Sequence, residues 1–210
     1  MKRIVMAGVV LLGAVSQMTM AAVAGDAEAG KSKAAACAAC HAPDGNSGAP
    51  TFPKIAGQSG RYLSKQLHDI KSNVRPVPVM MPIVANLSDQ DIADLSAFFA
   101  SQKPSTNQAK KDLVAKGEQI YRGGIRDKAV PACTACHSPT GSGNAPAGFP
   151  RLGGQHADYI ATQLKAYRAA ADGDSAGRAN DGDTKPMRSI AAHLSDSEIA
   201  ALANYVSGLH

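Results

Sequence analysis

Cys37, Cys40 and His41 form the word C-x-x-C-H, and Cys133, Cys136 and His137 form it a second time. Two thiols three positions apart can add to the two vinyl groups on one edge of a porphyrin, and the histidine that follows then lies against the iron as its proximal ligand. The pattern predicts two covalently bound haem c groups, with His41 and His137 on the metals. These 4 cysteines are all the chain has, so none is left for another role. A zinc ribbon would gather the cysteines on one metal with no need of a histidine after each pair. A thioredoxin-like dithiol would call for a βαβ setting that neither half supplies, and two structural disulfides would not account for the paired histidines.

An iron with a proximal histidine has one axial position left, and a methionine thioether there raises the potential and makes an electron-transfer site. Of the 7 methionines, only Met80, Met81 and Met187 lie beyond the first twenty residues. The internal repeat chooses among them. Phe52-Pro53-Lys54-Ile55-Ala56-Gly57-Gln58 answers Phe149-Pro150-Arg151-Leu152-Gly153-Gly154-Gln155 at an offset of 97, as Tyr62, Gln66 and Leu67 answer Tyr159, Gln163 and Leu164. After ten further residues in the second half the offset is 107, where Leu87-Ser88-Asp89 answers Leu194-Ser195-Asp196. Met80 and Met187 each lie seven residues before those leucines, whereas Met81 falls opposite Arg188. Met80 and Met187 are thus the expected distal ligands. The histidines outside the haem words (His68, His156, His193, His210) have no counterpart in the other half and read as ordinary surface or helix residues.

The elements that must position these groups are helical. No stretch alternates apolar and polar residues with β-branched enrichment, whereas Tyr62, Leu63, Gln66, Leu67 and Ile70, and again Tyr159, Ile160, Gln163, Leu164 and Tyr167, recur at helical spacing. Ser88 and Ser195 read as N-caps followed by acids. The helices they open should bury Ile92, Leu95 and Phe98 or Phe99 in one half, and Ile199, Leu202 and Val206 in the other. Shorter helices are expected over about 27–36 and 111–122, ahead of the two haem words. Pro104 and its polar neighbours mark a linker, which divides the chain into domains 25–103 and 111–210 joined by 104–110.

Lys2 and Arg3 precede an apolar run over residues 4–15 and then the small residues Ala22-Val23-Ala24, the layout of a cleavable secretory leader over 1–24. That run is short of the ~20 apolar residues a membrane span needs. Removal of the leader lowers the formal charge from +5 to +3, with acids and bases spread evenly over both halves. Nucleic-acid binding would need a clustered basic face, and none is present. The chain has no tryptophan and only 4% aromatic residues, so each small domain relies on its porphyrin for apolar bulk.

The two C-x-x-C-H words, the F-P-x-[IL]-[AG]-G-Q blocks, N-D-G-D-T-K at residues 180–185 and S-I-A-A at 189–192 together resemble the di-haem cytochrome c4 family, over the whole chain after its leader. The resemblance implies an all-α fold of two class I cytochrome c domains related by a pseudo-two-fold axis. It implies a monomeric periplasmic carrier, at times held on the outer face of the inner membrane, passing single electrons from a quinol–cytochrome c reductase or another donor to a terminal oxidase. It implies the Pro50 carbonyl as acceptor for the proximal histidine of the first half, with Ala147 in register and Pro146 beside it in the second. It also implies helix crossings at Gly30 with Phe98 and at Gly117 with Tyr205. The rival reading is an enzyme, a di-haem peroxidase or a sulfur-compound dehydrogenase, which needs an open iron position beside acid–base groups; a methionine for each haem argues against it. An electron-entry subunit of an oxidase complex is not separable from a free carrier on sequence.

Overall fold

A computed structural model describes residues 23–210; the expected leader, apart from its last two residues, lies outside them. The described residues fold into two helical domains with no β-sheet, only two isolated bridges. The first domain holds α1 (Ala27–Lys33), α2 (Ala35–His41), α3 (Gly60–Lys71), α4 (Met81–Val84) and α5 (Asp89–Ser101). The second holds α6 (Lys111–Gly123), α7 (Thr134–His137), α8 (Ala157–Ala171), α9 (Pro186–Ala191) and α10 (Asp196–Ser207). The packing repeats as the sequence does: α5 lies on α1 and α3, and α10 lies on α6 and α8.

The caps explain where the long helices begin. Ser88 and Ser195 each accept the amide of the third helical residue, and Asp91 and Glu198 there return a bond to the cap amide. Two otherwise unpaired donors are satisfied at each end, typically worth about 1 kcal/mol. From those starts the apolar stripes face inward. Ile92, Leu95, Phe98 and Phe99 are buried in the first domain, and Ile199, Leu202, Tyr205 and Val206 in the second. The haem words are themselves helical. The helix expected over 27–36 is broken at Ala34, after which α2 carries Cys37, Cys40 and His41.

The crossings of terminal helices depend on two glycines. A Cβ on Gly30 would lie 2.0 Å from the Asp94 carbonyl oxygen and 2.8 Å from Phe98 Cβ; one on Gly117 would lie 2.3 Å from the Ala201 oxygen and 2.5 Å from Tyr205 Cβ. Both contacts involve backbone, so the helices would have to part. Gly30→Ala and Gly117→Ala should each cost about 1–3 kcal/mol by overpacking, read as a lowered denaturant midpoint of the holoprotein.

Two carboxylates tie the terminal helices down. Asp94 accepts the Asp26 amide at 2.8 Å, Lys33 Nζ at 2.7 Å and Gln90 Nε2 at 2.8 Å, which hold its carboxyl down at about 2. Burial works to raise Glu198, but Lys128 at 2.8 Å and the Ser195 cap outweigh it and bring this group also to about 2. Carboxylates whose folded value lies below the unfolded ~4 stabilise the fold above that pH, and the contribution is lost as the pH falls through the folded value. The denaturation midpoint should therefore hold level above pH ~4 and fall steadily from there towards pH 2.

The two domains meet in a seam of reciprocal bonds. Gln58 donates to the Arg151 carbonyl and accepts the Arg151 amide, both at 2.9 Å. Gln155 does the same to Lys54, at 2.8 Å and 2.9 Å. Both glutamines are buried, and each pair is the repeat image of the other, as a pseudo-two-fold axis requires. Residues 102–110 contain no helix, yet they are fastened at several points. Ser105 N–H donates to Asn46 Oδ1 at 2.7 Å, Asn107 Nδ2 to the Gly154 carbonyl at 3.0 Å, and Lys110 N–H to Asn204 Oδ1 at 2.7 Å.

Candidate functional site: two haem-binding cradles

Each domain presents a buried imidazole with a fixed tautomer. His41 Nδ1 donates to the Pro53 carbonyl at 2.9 Å, and His137 Nδ1 donates to the Pro150 carbonyl at 3.0 Å. The carbonyl can only accept, so the proton is on Nδ1 and the lone pair of Nε2 is the one each ring can offer a metal. The expected acceptor Pro50 is a correction: Pro50 is exposed at the surface, and the bond goes to Pro53, three residues on. The same holds in the second half, where Pro150 takes the bond and neither Pro146 nor Ala147 does. Pro53 and Pro150 are images of each other in the repeated Phe-Pro block. The phenylalanine of each block meets its histidine edge-on, Phe52 at 6.4 Å from His41 and Phe149 at 6.2 Å from His137. Burial lowers the pKa of both histidines against the opposing pull of the carbonyl bond, which keeps the rings neutral and able to ligate.

The thiols stand beside these rings, unpaired with one another. Burial raises Cys37, and it pushes Cys133 up to about 11. The leading cysteine of each word thus faces apolar surroundings: Cys37 packs against the core of Ala34, Leu63, Leu95, Phe98 and Phe99, and Cys133 against that of Ile120, Tyr121, Ile160 and Leu202. Met80 caps α4 and Met187 sits in the first turn of α9, each with proline in that turn and each half-buried. The repeat-equivalent methionines are therefore on equivalent elements. Met81, also half-buried, opens α4 itself.

Between the domains is a cluster that sequence reading did not assign. Arg178 is buried and donates to Asn180 Oδ1 (2.9 Å), Gln163 Oε1 (2.8 Å), Tyr62 Oη (3.0 Å) and Gln66 Oε1 (3.0 Å), with its guanidinium 4.7 Å from the centre of the Tyr167 ring. Arg75 of the first domain donates to Gln66 Oε1 of its own domain and crosses to Tyr159 Oη and Gln163 Oε1 of the other, at 2.9–3.0 Å. Every one of these acceptors is neutral. Arg151 adds a buried Nε with no partner in the protein. Buried cations without a carboxylate are costly, and cations so placed suit a ligand that brings its own acids, as a porphyrin does with its two propionates. The neutral imidazoles, the thiols in apolar surroundings and these uncompensated guanidiniums fit haem c. His156 also belongs to the seam, with Nε2 donating to the Ser47 carbonyl at 2.8 Å. The signal for this cluster was in the sequence: Tyr62, Gln66, Tyr159 and Gln163 keep one offset although they are polar and stand away from the haem words.

A family model described as cytochrome c matches residues 27–103 and again residues 114–210. The chain is 57% identical to cytochrome c4 of Pseudomonas aeruginosa over 91% of this chain and 92% of that protein. The chain belongs to the cytochrome c4 family. The crystal structure of reduced recombinant cytochrome c4 from Pseudomonas stutzeri is similar with a TM-score of 0.84 at 52% identity, covering 89% of this chain and all of that one. A more distant relative, at 36% identity over 84% of this chain and 80% of its own, is the thiosulfate dehydrogenase electron acceptor of Stutzerimonas stutzeri. Membership makes this a di-haem electron-transfer protein with two haem c groups, one for each cytochrome c domain. Among the described residues no helix is long and apolar enough to cross a membrane.

Proposed function

We propose that this cytochrome c4 family member is a periplasmic courier that accepts single electrons from a quinol–cytochrome c reductase or a comparable donor and delivers them to a terminal oxidase. In this reading the leader over 1–24 is cleaved and domains 25–103 and 111–210 carry one haem each. His41 with Met80 and His137 with Met187 supply the axial ligands, and the four cysteines form the thioethers. The observation that carries it is the duplication of the ligand set: each half offers a carbonyl-anchored imidazole and a methionine on equivalent elements. When bound, the haem supplies one-electron exchange between ferrous and ferric iron. The protein's part is to keep the imidazole neutral and oriented, to offer sulfur on the opposite side, and to exclude water, which limits the rearrangement accompanying each electron. An iron so closed has no position for a substrate, which supports a carrier over an enzyme.

The surface around Met80 bears on the partner. Val74, Val79 and Ile83, exposed by 54%, 60% and 39%, lie in one proline-rich stretch with Met80. Residues 72–88 contain no acid, and their one base, Arg75, is turned into the domain seam. The equivalent stretch of the second half carries Asp181, Asp183, Lys185 and Arg188. The first domain thus offers an uncharged apolar face suited to a redox partner with an equally uncharged surface around its own cofactor, and insensitive to ionic strength.

The test joins ligation to transfer. The reduced native protein should be oxidised by oxidase-bearing membrane vesicles and should bind no carbon monoxide near neutral pH. Ready coordination of carbon monoxide by the native protein would overturn the reading.

A further inference from the structure

The two haem words are supported differently. In the first half α1 runs into α2 with only Ala34 between them, and the Ala34 carbonyl accepts the amides of Cys37 at 2.9 Å and Ala38 at 3.1 Å. His41 is thus reached through nearly continuous helix. In the second half Gly117 stands 87 beyond Gly30, but Cys133 stands 96 beyond Cys37, so nine extra residues intervene. They form a loop with a 3-10 turn over Arg126–Lys128 and a single bridge between Ile125 and Val130. After this break α7 is a single turn, Thr134–His137, four residues against the seven of α2.

One side chain spans the break. Tyr121, in the last turn of α6, is fully buried; its hydroxyl donates to the Ser138 carbonyl at 2.7 Å and its ring lies 5.7 Å from that of Tyr205. Ser138 directly follows His137 and holds a φ of +67°, a left-handed conformation that a serine adopts only when its surroundings enforce it. The first half has Ala42 at the equivalent position with a φ of +65°, but the counterpart of Tyr121 is Ala34, which has no hydroxyl to give. The shared φ is thus a property of the turn after each haem word and does not depend on the phenol. What the second half adds, where the first has helical continuity, is a hydrogen bond from a rigid, buried phenol on α6 to the residue beside the proximal histidine.

We propose that Tyr121 is a positioning residue for the C-terminal haem alone, holding the end of α7 and with it the His137 ring, and so keeps the potential of that haem up. This rests on the reading of His137 and Met187 as ligands. Without the bond, the end of α7 loses its tie to α6 and the cover over His137 loosens. Water then reaches the C-terminal iron, and polar surroundings favour the more highly charged ferric state.

Tyr121→Phe keeps the ring in its packing against Tyr205 and removes only the hydroxyl. On the full holoprotein, a potentiometric titration followed through the separate hyperfine-shifted haem methyl resonances should show the C-terminal midpoint falling and the N-terminal midpoint unmoved. Tyr121→Leu, which removes ring and hydroxyl together, should lower the C-terminal midpoint at least as far. A purely structural role would lower the unfolding midpoint and leave both potentials in place, and that result overturns the inference, as does an equal shift of both haems. The wild-type near-infrared thioether-to-iron band tells the two failures apart. Two-haem intensity with unmoved potentials rejects Tyr121 as a positioning residue; less than two-haem intensity rejects the ligand reading, and this inference with it.

Discussion

Met80→Ala and Met187→Ala should each remove half of the near-infrared thioether-to-iron band of the oxidised protein, and each should admit one carbon monoxide per reduced molecule. The double variant should lose the whole band and bind two. Axial ligation governs haem potentials over ~0.8 V, so the midpoint of the altered haem should fall by a sizeable part of that range while its neighbour stays nearly unmoved. Met81→Ala is the discriminating control. Met81 adjoins Met80 and is buried to a similar degree, but its repeat position is occupied by Arg188. Its replacement should leave the band, the carbon monoxide stoichiometry and both midpoints as they were. An effect of Met81→Ala equal to that of Met80→Ala would show that the repeat register had chosen the wrong sulfur.

The second large effect is expected at the seam. Arg178→Leu leaves Gln66, Gln163, Asn180 and Tyr62 without a donor they now share. An acceptor left dry in a buried setting costs about 1–3 kcal/mol; Tyr62 Oη and Asn180 Oδ1 lose their donor outright, while Gln66 and Gln163 keep Arg75. The domains should then lose their fixed relation: the single unfolding transition of the holoprotein should separate into two, and small-angle scattering should show a larger radius of gyration. Arg75→Leu should act in the same direction but less strongly, because Arg75 is less buried and gives its bonds to three acceptors, two of them shared with Arg178. Retention of one transition at the wild-type denaturant concentration in Arg178→Leu would show that the glutamine clasps alone hold the domains.

What the sequence made legible follows from the range over which its signals act. The haem words, the Ser88 and Ser195 caps and the apolar stripes of α5 and α10 depend on neighbours within a turn or two, and the structure has them where their spacing puts them. The crossings at Gly30 and Gly117 came from a family resemblance and are confirmed as backbone approaches that exclude a Cβ. The histidine acceptor is Pro53 where the resemblance implied Pro50, and Pro150 in the second half, where the register left it open. Counting from the haem word leads to Pro50, but the intervening loop has no periodicity to show which carbonyl folds back onto the ring. The repeat held the better clue, since Pro53 and Pro150 share one offset whereas Pro50 has only Ala147 opposite it. The seam was legible only in part. The shared offset of Tyr62, Gln66, Tyr159 and Gln163 marks polar positions with a common role, but Gln58 meets Arg151, and Arg178 meets Tyr62, across about a hundred residues of chain, and no local pattern names such partners. Tyr121 was passed over likewise, since its significance depends on the loop that separates α6 from the haem word.

The glutamine clasps have a bearing on how such a molecule is assembled. Gln58 binds the backbone at 151, and its image Gln155 binds the backbone at 54, so the receptor for each clasp belongs to the half that carries the other one. A contact in which i touches j while j touches i is isologous, the geometry by which two identical subunits close on themselves. Each half thus contains both the hook and the eye. The residues between them turn a bimolecular encounter into a tethered one, at an effective concentration that free subunits would seldom match. The covalent join sets the ratio of the two haems at one to one and frees each half to diverge, as the apolar collar on one side and the added loop on the other show.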